Sequence, residues 1–156
     1  MKSNPFSRSL CLLTCIGILA TMIFTGCINS ANQATPDPIQ NIIWQWESVT
    51  DQSTGTKTVV PDPEKYTLAF YSDGKLSGKA DCNMFEGTYS QQNGFTITLG
   101  ASTMAFCGET SLDQQYLGLL GSVAAGGPDG AGGFALETAG GAQRMLFKNG
   151  GPAPKT

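Results

Sequence analysis

Two thiols in the second half of this chain, Cys82 and Cys107, invite chemical argument first. Such a pair can close a disulfide, pack as two reduced thiols, or supply a nucleophile or redox couple. A reactive thiol needs a lowered pKa, and the chain has no Cys-x-x-Cys motif and no histidine to provide one. Metal binding needs at least one more good ligand than this pair supplies. In an oxidising compartment the disulfide is the natural state, and closing the loop between them stabilises by roughly 3–4 kcal/mol in the chain-entropy model. The expectation is a Cys82–Cys107 disulfide, with reduced or reactive thiols as the alternatives.

The absence of histidine also removes the commonest general base, the Ser-His and Cys-His pairs and the commonest metal ligand. Asp81 with Glu86, or Asp62 with Glu64, form carboxylate pairs of the kind that glycoside chemistry uses. Acidic pairs at exposed strand positions are usually just solvated, so no catalytic residue, metal or cofactor is expected. Trp44 and Trp46 lie two apart and share one strand face. Facing inward they are core; facing outward they form an aromatic binding surface for peptide, glycan or lipid.

These groups must be positioned by short elements with a period of two. Tyr66, Leu68 and Phe70 line one strand face, and Ser72-Asp73-Gly74 supplies a turn. Leu76, Gly78, Ala80 and Cys82 alternate with polar residues, as do Phe85, Gly87 and Tyr89. Asn93-Gly94 is a hairpin signal before Phe95, Ile97 and Leu99. The pattern predicts a mainly β domain, an antiparallel meander curling into a small barrel-like sheet. Ser111 and Gln114 form a capping box, and Leu112, Tyr116, Leu119, Leu120 and Val123 place one packed helix at about 111–123. Gly126 to Gly133 reads as a mobile connection, and Phe134–Glu137 with Arg144–Phe147 as a closing hairpin around Ala139-Gly140-Gly141. Asp81 and Asn83, flanking Cys82 at a strand end, are expected to bond turn backbone.

The leader is legible by composition. Lys2 and Arg8 precede an uncharged apolar run from Leu10 to Phe24. Small residues Thr25 and Gly26 then precede Cys27, the layout of an export signal. Phe24-Thr25-Gly26-Cys27 resembles the lipobox of prokaryotic lipoproteins, and that resemblance implies a lipid on Cys27 as the mature N-terminus. An uncleaved membrane anchor is the alternative, although the apolar run is short against the ~20 residues a span needs. The expected organisation is a signal peptide over 1–26, a flexible tether over 27–41, a β-domain over 42–149 and a disordered tail over 150–156. Removing 1–26 leaves seven basic against twelve acidic residues, a net charge near −5 that disfavours nucleic acid as a partner.

The segment Gly78-Lys79-Ala80-Asp81-Cys82-Asn83-Met84-Phe85-Glu86-Gly87-Thr88-Tyr89, with Thr103-Met104-Ala105-Phe106-Cys107 after it, resembles the META (HslJ-like) domain family over roughly residues 42–149. The matching positions are Gly78, Cys82, Asn83, Phe85, Gly87, Tyr89, Thr103 and Cys107. Asp81 stands where that family commonly has Gly. The resemblance implies an opening Trp strand, a signature hairpin, a Thr–Cys strand, a helix and a closing hairpin. It implies a bacterial envelope location and an association with heat-shock, antibiotic-tolerance and secretion phenotypes, without an assigned molecular activity. The functional expectation is a membrane-tethered, extracytoplasmic, non-enzymatic domain with a protein-interaction or envelope-stress role, its partner an envelope protein or a small ligand. It would sit in the outer membrane where the host has one, since Ile28 rather than Asp follows Cys27. The alternatives are a barrel-like carrier of a small apolar ligand and an inhibitor or chaperone-like module.

Overall fold

The computed structural model describes residues 37–155. The leader, Cys27 and the tether as far as residue 36 lie outside the described residues. The strands are β1 (Ile42–Asp51), β2 (Lys57–Val59), β3 (Tyr66–Phe70), β4 (Lys75–Ala80), β5 (Asn83–Ser90), β6 (Thr96–Ser102), β7 (Val123–Pro128), β8 (Phe134–Thr138) and β9 (Gln143–Pro152), with helix α1 (Asp113–Leu120) between β6 and β7. They form one sheet in the order β6-β5-β4-β3-β1-β9-β8-β7, with β2 added to β1 and every strand-to-strand ladder antiparallel. Two meanders, β3 to β6 and β7 to β9, therefore flank β1. Phe95, just before β6, donates its backbone N–H to Ala124 O of β7 at 3.2 Å, so the two ends of the sheet meet at one corner. The predicted mainly β class with one helix holds, and the sheet curls into a half-barrel.

Alternation explains the interior. Trp44 and Trp46 on β1 both point inward and are buried, Trp46 at 0 % exposure, so they are core and not a binding surface. Each indole N–H finds a backbone carbonyl: Trp44 Nε1 donates to Ile39 O at 2.9 Å and Trp46 Nε1 to Ser48 O at 3.0 Å. Phe134, on β8, sits among Trp44, Phe70, Phe95 and Phe147 with ring centroids 5.2–5.9 Å apart. Tyr116 of α1 stacks on Trp46 at 5.0 Å and meets Phe85 and Phe147 edge-on or tilted. Aromatic pairs at these separations are in contact, so side chains fill the space between the sheet's inner face and the helix.

Four boundaries differ from those expected. The helix covers only Asp113–Leu120, and Val123 opens β7 instead of completing the helical stripe. The capping box does not form: Ser111 Oγ accepts from Asp113 N at 3.2 Å, and the N-cap position, Leu112, has no capping side chain. Gly126, Gly127 and Pro128 belong to β7, because a Cβ at Gly126 would lie 2.6 Å from Leu136 and 3.1 Å from Phe95. Here glycine serves close packing of the sheet on itself. At the two termini the domain is longer than expected. Ile39 is buried and Gln40 bridges Phe70, so residues 39 and 40 belong to the folded domain and not to the tether expected over 27–41. Residues 150–152 extend β9, and Ala153 N donates to Asn41 O at 2.9 Å, where a disordered tail was expected.

Among the buried polar atoms, Tyr116 Oη and Ser48 Oγ have no hydrogen-bond partner. Tyr116→Phe removes one desolvated hydroxyl and is expected to raise unfolding free energy by about 1 kcal/mol in urea titrations. Burial also pushes the Tyr116 pKa well above its ordinary value. The folded-state pKa then exceeds the unfolded one near ~10, so this group's titration leaves stability unchanged below that pH and lowers it as pH climbs further, where the unfolded chain alone releases the proton. Urea titrations above that pH are therefore expected to show a shallower alkaline loss for Tyr116→Phe than for the parent chain.

Candidate functional site

The family-like residues converge where β4 turns into β5. Ala80 pairs with Asn83, leaving Asp81 and Cys82 as a two-residue turn. Asp81 there has φ +58°, a backbone conformation that glycine adopts without strain and that accounts for the Gly the resemblance leads one to expect. Asp81 keeps the position by its side chain. It accepts from Tyr66 Oη at 3.4 Å and lies 3.8 Å from Lys65 Nζ. Asp81, then Asp62, raise the Lys65 pKa above its ordinary value.

Asn83 is 2 % exposed and joins this turn to the segment after β6. Its Oδ1 accepts from Ala105 N at 2.7 Å and from Thr103 Oγ1 at 3.0 Å. Its Nδ2 donates to Ala105 O at 2.9 Å, with Cys107 Sγ at 3.2 Å and Asp113 Oδ2 at 3.3 Å also in reach. Thr103 completes the clasp, receiving Met84 N on its hydroxyl at 2.9 Å and donating its own N–H to Met84 O at 3.0 Å. Cys82 and Cys107 form the expected disulfide, Cα to Cα 5.5 Å. The expected Thr–Cys strand is thus extended chain without a strand ladder. β6 stops at Ser102, and side-chain bonds to Asn83 take over the backbone pairing.

The remaining family-like positions are also structural. A Cβ at Gly78 would lie 2.3 Å from both Phe85 Cζ and Thr67 O, so glycine lets the Phe85 ring cross β4. A Cβ at Gly87 would meet Thr98 O at 2.3 Å, beside the bulge between β5 and β6. Tyr89 Oη donates to Tyr71 O at 3.0 Å and accepts from Gln40 Nε2 at 2.7 Å. Gly78→Ala is expected to cost about 2 kcal/mol by overpacking against backbone, read as an earlier urea midpoint with unchanged slope.

What the clasp presents is apolar. Met104 is 90 % exposed, Phe106 is 84 % exposed and Met84 more than half exposed. Sequence reasoning missed this ridge. Thr103 and Cys107 tie the two ends of this segment to the β4–β5 turn, and the residues between them, Met104 to Phe106, are left exposed. Two shallow hollows flank the ridge, one of about 350 Å³ lined by Met84, Phe85, Glu86, Ala101, Ser102 and Thr103. The other, about 440 Å³, lies against Met104, Phe106, Glu109, Asp113 and Gln114. Both are open to solvent and near the lower end of the ~300–1,000 Å³ range of small-molecule sites. Of the carboxylates considered for catalysis, Asp62 and Asp81 pair with Lys65, and Glu86 lines the first hollow. Among the described residues no group of three or more His, Cys, Asp or Glu is placed to hold a metal.

The fold has solved counterparts. A DUF4847 family protein from Bacteroides vulgatus superposes with a TM-score of 0.56 at 12 % identity, covering 70 % of this chain and 93 % of its own. A protein from Burkholderia xenovorans, solved by NMR, gives 0.54 at 21 % identity, covering 78 % and 95 %. At these identities the likeness concerns the fold. Among curated proteins none matches. The META domain family model matches residues 37–150, the span that carries the half-barrel, the Asn83 clasp and the disulfide, and the chain belongs to the META domain family.

Proposed function

We propose that this chain is a membrane-tethered, extracytoplasmic META-domain lipoprotein that acts by binding another envelope protein and not by turnover. The observation that carries the binding role is the exposure of Met104 and Phe106 on a segment immobilised by a disulfide and by Asn83. A backbone already fixed in place loses little conformational entropy on docking, which favours affinity. The ring-filled interior lends no support to an apolar-ligand carrier. The address rests on the lipobox-like Phe24-Thr25-Gly26-Cys27 and on the disulfide, a bond characteristic of oxidising compartments.

Two measurements test the reading. Intact mass of protein purified from its native membrane is expected to show a chain starting at Cys27 with added acyl mass. A chain starting near Met1 would sink the lipoprotein assignment. The double substitution Met104→Ser with Phe106→Ser is expected to leave urea stability within about 0.5 kcal/mol, since neither side chain is packed. The same variant is expected to abolish the envelope cross-links that the parent chain forms. Cross-links unchanged by the substitutions would count against a binding role for the ridge.

A further inference from the structure

We infer that the ridge and the outer edge of β6 together dock an extended, apolar segment bearing lysine or arginine from another protein. The inference rests on the binding reading above and names the partner's chemistry. Asp37, the first described residue, bonds Gln91 beyond one end of β5, and the ridge lies beyond the other end, at Asn83 and Met84.

Charge argues for a cationic partner. The charged residues lining the two hollows are Glu86, Glu109 and Asp113, all acidic. Lys79, the cross-strand neighbour of Met84, leaves the acidic groups in excess. A second copy would bring the same acidic linings and a net charge of the same sign, which disfavours self-association here.

The edge argues for an extended segment. β6 is the terminal strand of the sheet, and its sequence Thr-Ile-Thr-Leu-Gly-Ala-Ser carries none of the charges or prolines that blunt such edges. Ala101 and Ser102 of that edge line the first hollow, next to Met84. A strand added alongside β6 gains main-chain hydrogen bonds, and its alternate side chains fall toward the hollow and the ridge.

The test uses the full lipidated chain reconstituted in phosphatidylethanolamine–phosphatidylglycerol nanodiscs. Two fluorescent synthetic peptides share one alternating Val/Thr core and differ in Lys or Glu flanks. The Lys-flanked peptide is expected to bind at least about tenfold more tightly by anisotropy, and Phe106→Ser to weaken it about tenfold. In a Phe106→Trp variant, emission is expected to shift blue when that peptide is added. Equal affinities, no binding, or no effect of Phe106→Ser would overturn the inference. So would a blue shift on reconstitution alone, which would place the ridge in lipid. If the Met104→Ser/Phe106→Ser variant loses its envelope cross-links while the peptides fail to discriminate, the binding reading stands and only this inference falls. If the parent chain forms no cross-links and binds neither peptide, both fall.

Discussion

Asn83→Ala is expected to lower unfolding free energy by about 3 kcal/mol, to be read by urea titration under oxidising conditions. The magnitude follows from what the amide leaves behind. Ala105 N, Ala105 O and the Thr103 hydroxyl lose their partner at once, in a place where the parent side chain is almost wholly buried. A desolvated donor or acceptor without a partner costs about 1–3 kcal/mol, and the loop relieves part of that by admitting water. Asn83→Asp separates geometry from donor chemistry. It keeps the acceptor toward Ala105 N but turns Nδ2 into a second oxygen facing Ala105 O and Asp113, so its loss is expected to match or exceed that of alanine. A loss below about 1 kcal/mol for both variants would show that the clasp is not what fixes the segment.

Cys82→Ser with Cys107→Ser lowers stability by about 3.5 kcal/mol, the chain-entropy value for this loop. The bond spans a sequence separation of 25, linking the β4–β5 turn to the approach to α1. Reduction of the parent chain is expected to give a similar loss, since both routes release the same unfolded-state constraint. The two effects will not add. Asn83 and the disulfide hold one short segment, and Cys107 Sγ lies 3.2 Å from Asn83 Nδ2. Once either is gone the segment has partly loosened, so a double-mutant cycle is expected to show coupling of about 1 kcal/mol. Strict additivity would mean that the amide and the sulfurs act on separate parts of the structure.

Most of the fold was legible because its strands obey a period of two with turn residues between them. Tyr66, Leu68 and Phe70 face the core as their spacing requires, and Cys82 and Cys107, the two thiols of the domain, are joined as a disulfide. What was not legible depends on contacts between distant segments. Gly126 looks like loop sequence until Leu136 and Phe95 are seen against it. Gly150 looks like tail until β1 is seen beside β9. The helix was read too long because Val123 fits a helical stripe and a strand equally well, and the sheet takes it. Asn83 was expected to bond its own turn. Instead it bonds a segment twenty or more residues later, a non-local choice that local rules do not contain.

The adjacency of β1 and β9 bears on how the domain is made. Ile42 pairs with Pro152, so the domain's first strand is bonded to its last. During synthesis one side of β1 has no neighbour until β9 emerges, and Trp44 and Trp46 wait with it. Loop-closure entropy for that pairing is met late, which sets folding toward the slow end for a domain of this size. Cooperative closure is thereby deferred until β9 has been made, and removing β9 opens the centre of the sheet and not merely its rim.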